Sequence, residues 1–313
     1  MLFVALVVSC LFAWLHFKGY YGYGSDFIHT YQYINDPKGR YTDYFGSYVV
    51  GLGDGKHPYS IFLVSLFLIF SASLMLKLRL QALQKVSWLT YVVGIILIAH
   101  IWPIFMSFSN VMRQGVLMFF LYMALYFLST GKKKYFVIML LPLAFSHKSS
   151  PFYLVILSLL YLAPKFKFKY DIQQKNLIIF LGLFLFLILF SMYSIFIGDR
   201  GPSRVIGGDF SNIMWVLSML WLASYYFSTR NYSVIANFLA LYTIIISVFY
   251  FKGLIWEYER LIMVVLLLYI LWAPIPKFMY RYWRAYIVIA LASLVFVTWY
   301  IGLFASYQPL ESF

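Results

Sequence analysis

Residues 109–150 read SNVMRQGVLMFFLYMALYFLSTGKKKYFVIMLLPLAFSHKSS, and the fold is decided by this stretch. One apolar run precedes the three consecutive lysines at 132–134, and a second apolar run follows them. Runs of this length and composition are typical of a helical hairpin in a bilayer, with the lysines at its turn. Because Arg113 and His147 stand at the two far ends of the hairpin, the pattern predicts that both reach the face opposite the lysines.

Arg113 stands at the start of the first of these two helices. Ser109 or Asn110 is a good N-cap, which puts Arg113 in the first turn. An arginine there opposes the helix macrodipole, but a bound anion reverses the sign of the effect. Free backbone N–H groups, the dipole and the guanidinium then converge on one phosphate or carboxylate. The alternative is that Arg113 only extends its charge to the membrane interface.

His147 stands at the end of the second helix, directly before another helix start. Ser150 is a suitable cap for a helix whose first residue is Pro151, because proline fits best at that position. His147 and Lys148 therefore occupy a break between two helices. The alternative to a functional role is a buried histidine whose hydrogen bonds are satisfied.

The composition indicates a membrane protein. Of 313 residues, 64% are hydrophobic and only 11% are charged, and the mean hydropathy is +0.84. The net charge of +14 does not indicate nucleic-acid binding, because the positive residues stand in short loops between apolar runs. The single cysteine, Cys10, excludes an intramolecular disulfide.

The apolar runs predict an all-α, polytopic integral membrane protein with about 11 transmembrane helices in one domain, 1–313. Near Pro103 we expect a kink. The first residues lack a basic segment and a small-residue cleavage site, so we expect a retained span there. External loops are predicted at 18–58, 198–209 and 252–260. The predicted spans are 1–17, 59–76, 86–108, 111–129, 135–146, 152–163, 176–197, 210–228, 232–251, 261–273 and 285–303.

The positive residues divide unequally between the two sides that alternating spans create. One side receives fourteen of the 24 lysines and arginines and a single acid, Asp171. The positive-inside rule makes this the cytoplasmic side. We therefore predict a cytoplasmic amino terminus and an external carboxyl terminus. Lys18, which follows the first span, favours the opposite orientation for that span alone.

The external side collects polar residues that the positive-inside rule does not explain. Arginines on the external side suggest a functional role. For many of the charged residues on that side, however, a solvated loop with surface ion pairs is the simpler interpretation. The tyrosines of 20–33 are suited to stacking on sugar rings or to an interfacial aromatic belt. The polar residues in question are Asp26, His29, Arg40, His57, Arg113, His147, Arg200, Arg204, Glu257, Glu259 and Arg260.

Four short motifs occur in order along the chain: Gly24-Ser25-Asp26 with Tyr31, Arg113-Gln114, His147-Lys148-Ser149 and Arg260. Their order, spacing and sidedness resemble the EpsG-like group of Wzy-type polysaccharide polymerases over roughly residues 20–265. One departure from the pattern is His57-Pro58, where such proteins often have Glu-Pro before the second span.

The resemblance implies a fold and an activity. The fold would be like that of the membrane-embedded GT-C glycosyltransferases. The enzyme would elongate O-antigen, capsule or exopolysaccharide at the outer face of the bacterial cytoplasmic membrane. It would transfer the growing glycan from undecaprenyl pyrophosphate to a lipid-linked acceptor repeat unit. The resemblance implies no metal, no nucleotide sugar and no cofactor. A chain-length regulator protein and membrane lipids are the further partners that it implies.

The residues suit this chemistry because a pyrophosphate leaving group needs its charge stabilised. Arg113 is the first candidate, since guanidinium binds phosphate in a bidentate manner, with Arg204 and Arg260 as helpers. We find no Asp-X-Asp pair for Mg²⁺ in the external loops and no phosphate-binding or dinucleotide-binding fingerprint. The other predicted substrate-binding residues are Gln114, His57 and Tyr31.

A general base must take the proton of the acceptor hydroxyl. His147 is the first candidate, because an imidazole needs little change of its pKa to act near neutral pH. Asp26 and then Glu257 follow. For Glu257, a local salt-bridged loop at 257–260 is an equal alternative.

Two other classes of protein compete with a polymerase. A transporter or lipid-linked oligosaccharide flippase would place polar residues near the bilayer midplane, on broken helices in two corresponding halves. An acyltransferase or a ligase would use the same outward arginine and histidine residues. A purely structural subunit would leave the placement of Arg113 and His147 unexplained.

Overall fold

The protein is described by a computed structural model. It covers residues 1–20, 59–83, 87–109, 112–147, 149–162, 171–196, 208–227, 233–275 and 281–300. Within these ranges the regular structure is helical and no strand occurs, which confirms the all-α class. The helices of these ranges are α1 (Leu2–Phe17), α2 (Tyr59–Leu83), α3 (Trp88–His100), α4 (Trp102–Ser109), α5 (Met112–Ser129), α6 (Lys133–Ser146), α7 (Ser150–Leu162), α8 (Asp171–Phe196), α9 (Gly208–Phe227), α10 (Val234–Phe251), α11 (Ile255–Leu271) and α12 (Trp283–Tyr300).

The chain divides into two compact units, of which unit 1 comprises Met1–Leu154 and Lys277–Phe313. Helix α2 is central to unit 1 and packs against α1, α3, α4 and α5. Its small residues Ser71, Ala72 and Ser73 are all fully buried. Small side chains let neighbouring helices approach closely, and the two serine hydroxyls bond to carbonyls of their own helix.

Unit 2 comprises Val155–Pro276 and is built around α10. Helix α10 packs against α8, α9 and α11, and all its residues from Ile235 to Phe249 are buried. A helix that is largely apolar all round is kept out of water, either inside a protein core or in a membrane, and α10 is covered by its neighbouring helices. Ser233 begins the helix, and its side chain accepts a hydrogen bond from the Ala236 backbone N–H.

Long apolar helices associate this protein with a membrane. Among the described residues, three helical segments are long and apolar enough to cross one: Ile61–Leu83, Ile172–Ser191 and Val234–Phe251. Large apolar side chains such as Phe184 and Leu187 on α8 are exposed, and such surfaces favour contact with lipid. The number of eleven spans stays a prediction. The shorter apolar helices are Leu2–Phe17, Trp88–His100, Arg113–Ser129, Ser150–Leu162 and Trp283–Trp299.

Two tight turns build helical hairpins, α5–α6 in unit 1 and α10–α11 in unit 2. Gly131 and Gly253 adopt positive φ values of 72° and 71°, which glycine tolerates because it has no Cβ. At the first turn, the Lys132 N–H donates to the Phe127 carbonyl at 2.9 Å and the Gly131 N–H to the Leu128 carbonyl at 3.2 Å. This pair of bonds is the Schellman motif that ends a helix. The predicted hairpin with lysines at its turn is confirmed.

The expected kink near Pro103 is a complete break instead. Helix α3 ends at His100, Ile101 is extended with ψ of 141°, and α4 begins at Trp102. Proline lacks the N–H that would continue the α3 hydrogen bonds, and its ring would clash with the carbonyl four residues before it. In the first turn of α4 neither penalty applies, so Pro103 begins a new helix.

The prediction of a loop over 252–260 is wrong for most of that stretch. Helix α11 begins at Ile255, so the residues from Glu257 to Arg260 are helical. The Gly253 turn reverses the chain within three residues, which lets the next helix start at once. Glu257 in the first turn is favoured by the positive end of the helix dipole.

Candidate functional site

Arg113 and His147 lie at the same end of the α5–α6 hairpin. The two helices pack against each other. Arg113 is the second residue of α5, as the sequence predicted for the first turn, and His147 follows the last residue of α6. At about 1.5 Å per residue, the two residues stand roughly 24 Å and 21 Å along their helices from the turn. They therefore share the end that lies opposite the lysines. We call it the Arg113–His147 end.

The start of α5 is pressed against the end of α4. A Cβ added at Gly115 would lie 2.1 Å from the Ser107 carbonyl oxygen and 2.9 Å from Val64 Cγ1. Both distances are far below van der Waals contact, so only glycine fits there. Gln114 is buried and Arg113 is half-buried. The close approach at Gly115 thus fixes the polar side chains of the first turn.

His147 is held by a turn of hydrogen bonds at the α6–α7 junction. The backbone is extended at His147, and its N–H donates to Ser150 Oγ at 3.2 Å. The ring atom Nδ1 lies 2.8 Å from Ser149 Oγ and 3.2 Å from the Ser149 backbone nitrogen. Pro151 explains why α6 stops here, because a continuous helix needs an N–H at 151 to bond the His147 carbonyl. Helix α7 begins at Ser150 rather than at Pro151.

Two further histidines in unit 1, His16 and His100, make specific side-chain contacts, and neither was among the predicted site residues. His16, at the end of α1, is buried and its Nδ1 lies 2.8 Å from Ser65 Oγ. His100, at the end of α3, packs edge-on against Phe12 with ring centroids 5.0 Å apart. Its Nδ1 lies 2.8 Å from the Ile96 carbonyl oxygen, so Nδ1 carries the proton. Their signal in the sequence is a histidine within the last turn of an apolar run.

Unit 2 has a polar and aromatic cluster where α10 turns into α11. The Tyr250 hydroxyl donates to Asn212 Oδ1 at 2.7 Å. The Tyr250 ring stacks on Trp215, with centroids 5.0 Å apart and planes inclined by 6°. Tyr258 meets the Tyr250 ring edge-on at 5.4 Å. The start of α9, the end of α10 and the start of α11 therefore meet at one end of unit 2.

The carboxylates of α11 lie in the same part of unit 2. The buried Ser211 hydroxyl donates to Glu259 Oε1. Glu259 precedes the apolar run that begins at Leu261, and burial raises the pKa of its carboxyl while the bond from Ser211 opposes that rise. Glu257 Oε2 is buried and has no hydrogen-bond partner in the described part of the chain. Arg260 is half-buried on the same helix.

The other predicted site residues lie outside the described residues. These are Asp26, Tyr31, His57 and Arg204, together with the tyrosines beyond Tyr20 in the first loop. Arg113, Gln114 and His147 belong to unit 1, whereas Glu257 and Arg260 belong to unit 2. No group of three or more potential metal-ligating side chains occurs in the ranges that the structure covers.

Comparisons with protein-family models, with curated proteins and with solved structures find no match to this chain.

Proposed function

We propose that the protein polymerises lipid-linked oligosaccharide repeat units at the outer face of the bacterial cytoplasmic membrane. The glycan moves from undecaprenyl pyrophosphate to a lipid-linked acceptor repeat unit. The observation that supports this most is the Arg113–His147 end, where a helix first turn, a guanidinium and an imidazole belong to one hairpin. These are groups that bind a phosphate and assist proton or charge movement beside it.

The proposed reaction is a glycosyl transfer in one balanced step. The acceptor hydroxyl oxygen forms a bond to the anomeric carbon, and the bond from that carbon to the pyrophosphate oxygen breaks. The electron pair leaves with undecaprenyl pyrophosphate, and the hydroxyl proton passes to a base of the protein. Arg113 stabilises the charge of the leaving group, with Arg204 and Arg260 as further candidates. Asp26 and Glu257 are the carboxylate candidates for the base.

The proposed architecture is GT-C-like, with eleven spans, a cytoplasmic amino terminus and an external carboxyl terminus. The exposed triple lysine at 132–134 supports this orientation, because positive turns favour the cytoplasmic side. The Arg113–His147 end then lies at the outer face. Membrane lipids and a chain-length regulator protein are its proposed partners.

A deletion strain tests the proposed function. If the polymer is O-antigen, cells without this protein should make lipopolysaccharide with the core plus one repeat unit and no ladder. Gel electrophoresis of lipopolysaccharide distinguishes the alternatives. Loss of even the single-repeat band would indicate a flippase, and free lipid-linked polymer beside bare core would indicate a ligase. Either pattern would contradict the polymerase.

A further inference from the structure

We propose that His147 is a hydrogen-bond donor to the leaving pyrophosphate, acting through Nε2–H, and that Ser149 is the positioning residue that fixes this tautomer. The role in the reaction rests on the proposed function above. The tautomer itself is a property of the folded chain. The inference replaces the expectation that His147 is the general base.

The geometry around Nδ1 decides which ring nitrogen holds the proton. The backbone N–H of Ser149 points at His147 Nδ1, at 3.2 Å. A backbone N–H can only donate, so Nδ1 must present its lone pair as the acceptor. Ser149 Oγ lies 2.8 Å from the same atom and is able to donate its hydroxyl proton there. In a neutral ring the proton is then on Nε2.

A proton on Nδ1 is disfavoured by the same arrangement. It would place one N–H group against another, and the Ser149 amide cannot reverse its direction. In this tautomer Nε2 already carries the ring proton. For Nε2 to accept a proton from substrate, the neutral ring would first have to move that proton to Nδ1 and lose the bond from the Ser149 N–H. Nε2–H is therefore the group that a neutral His147 offers for hydrogen bonding.

The turn that holds this ring is built into the helix junction. His147 is extended, its own N–H is bonded to Ser150 Oγ, and Ser150 in turn lies 3.3 Å from Ser146 Oγ. Pro151 prevents α6 from continuing through this segment. The serines at 146, 149 and 150 thus give the histidine one orientation and one tautomer, which is what a preorganised donor requires.

The neutral Nε2–H donor of His147 complements Arg113, which already supplies a positive charge at the Arg113–His147 end. The leaving pyrophosphate oxygen gains negative charge as its bond to the anomeric carbon breaks. Arg113 supplies a permanent positive charge at the same end of the hairpin, and Nε2–H supplies a second donor. During the step the Nε2 proton stays on His147, and the acceptor hydroxyl proton goes to a carboxylate. Proton count and charge therefore balance without a histidine base.

The tautomer is measured by ¹⁵N NMR of the purified protein in nanodiscs, with histidine labelled. We expect His147 to show an unprotonated Nδ1 and a protonated Nε2, identified by the signals that His147→Gln removes. His100 should show the opposite tautomer, since its Nδ1 bonds a carbonyl oxygen, and it is the internal control. A protonated Nδ1 on neutral His147 would overturn the proposal, whether or not the protein is a polymerase.

The role in catalysis is measured with substitutions at 147. Glutamine carries a neutral N–H₂ donor at about the reach of Nε2 but cannot accept a proton as a base. His147→Gln should keep turnover within about tenfold of wild type, whereas His147→Ala should lose about 100-fold. A Gln variant as inactive as the Ala variant, at equal membrane abundance, would overturn the donor role. Inactive wild-type protein would instead contradict the proposed function.

Ser149 is tested by Ser149→Ala, which removes the hydroxyl and keeps the backbone N–H. Because the backbone N–H still donates to Nδ1, we expect the ¹⁵N spectrum to keep the Nε2–H tautomer of His147 in excess, with a larger share of the Nδ1–H tautomer than in wild type, and we expect turnover to fall less than in His147→Ala. Ser149→Thr, which restores a hydroxyl, should restore both. A change in abundance alone, with the tautomer unchanged in the Ala variant, would remove Ser149 from the positioning role.

Discussion

Among single residues, Arg113 is the one on which the proposed reaction depends most. Its guanidinium stands in the first turn of α5, where free backbone N–H groups face the same direction. A planar guanidinium binds a pyrophosphate through two parallel hydrogen bonds, and a lysine ammonium does not reproduce that geometry. Substitutions of Arg113 can therefore distinguish pyrophosphate binding from simple anchoring of the side chain at the membrane interface.

We expect Arg113→Ala to lower polymerisation by at least about 100-fold, because the leaving group loses its main charge partner. Arg113→Lys should also be severely impaired. Chain length on gels and turnover of the purified protein measure both effects, with membrane abundance as the check on folding. Arg281→Ala, at an exposed arginine on the predicted cytoplasmic side, is the matched control and should leave activity unchanged. Full activity of Arg113→Lys would reduce Arg113 to a generic positive charge.

At the scale of elements, the close contact of α5 with α4 positions the first turn. Gly115 allows this contact because it has no side chain, and the nearest obstacle to a Cβ is a backbone carbonyl that cannot move aside. Gly94 on α3 is a useful contrast. There the atom nearest to a Cβ would be Leu76 Cδ2, at 2.5 Å, which is the far end of a flexible side chain.

We expect Gly115→Ala to lower the free energy of unfolding by about 1–3 kcal/mol and to lower turnover, because α5 must shift away from α4. Gly94→Ala should be nearly neutral, since Leu76 can change rotamer and alanine favours the helix. Thermal unfolding in detergent measures the stability of both variants, and turnover of the purified proteins measures their activity. Equal stability and equal activity of the two variants would show that the α4–α5 contact does not position Arg113.

The sequence predicts which stretches are helical, but it does not predict where several of the helices begin or end. The α5–α6 hairpin was predicted because its lysines and its apolar runs are unmistakable signals. The restart of α11 at Ile255 was not, since Glu257 and Glu259 suggest a loop by polarity alone. The bond from Ser211 to Glu259 joins residues 48 apart, and such a partner cannot be read from local pattern.

For His147, too, the sequence predicts the position along the chain but not the contacts of the side chain. The sequence predicts its place in a helix break, and that place is what the structure has. It does not predict the ring tautomer, because that depends on where the Ser149 amide points. His16 and His100 were missed because a lone histidine in an apolar run usually indicates only a buried side chain.

At the scale of the whole molecule, composition predicts apolar helices but not their neighbours. Helices α8 and α10 both contain an apolar segment long enough to cross a membrane, yet α10 is buried on all faces and α8 exposes Phe180, Leu183 and Phe184. An apolar surface is equally stable against lipid or against another helix, so the pattern cannot separate the two cases. The division into two units likewise follows from packing and not from any linker in the sequence.

The orientation of the whole chain is tested by single cysteines in a Cys10→Ser background. We expect cysteines at Ser203 and Ser306 to react with a membrane-impermeant thiol reagent in intact cells. Cysteines at Gln84, Thr130 and Gln173 should be protected, because the positive-inside rule puts them in the cytoplasm. Thr130 adjoins the exposed lysine turn. Labelling there in intact cells would invert the orientation and put the Arg113–His147 end inside.

Purified protein shows whether this chain joins lipid-linked repeat units with arginines stabilising the leaving group. The protein is reconstituted in liposomes with undecaprenyl-pyrophosphate repeat units and excess chelator, and the products are measured by mass spectrometry. We expect glycans of two or more repeats on one lipid, and we expect Arg113→Ala protein to form none. Products no longer than one repeat from folded wild-type protein, or chain growth only when Mg²⁺ is added, would contradict this proposal.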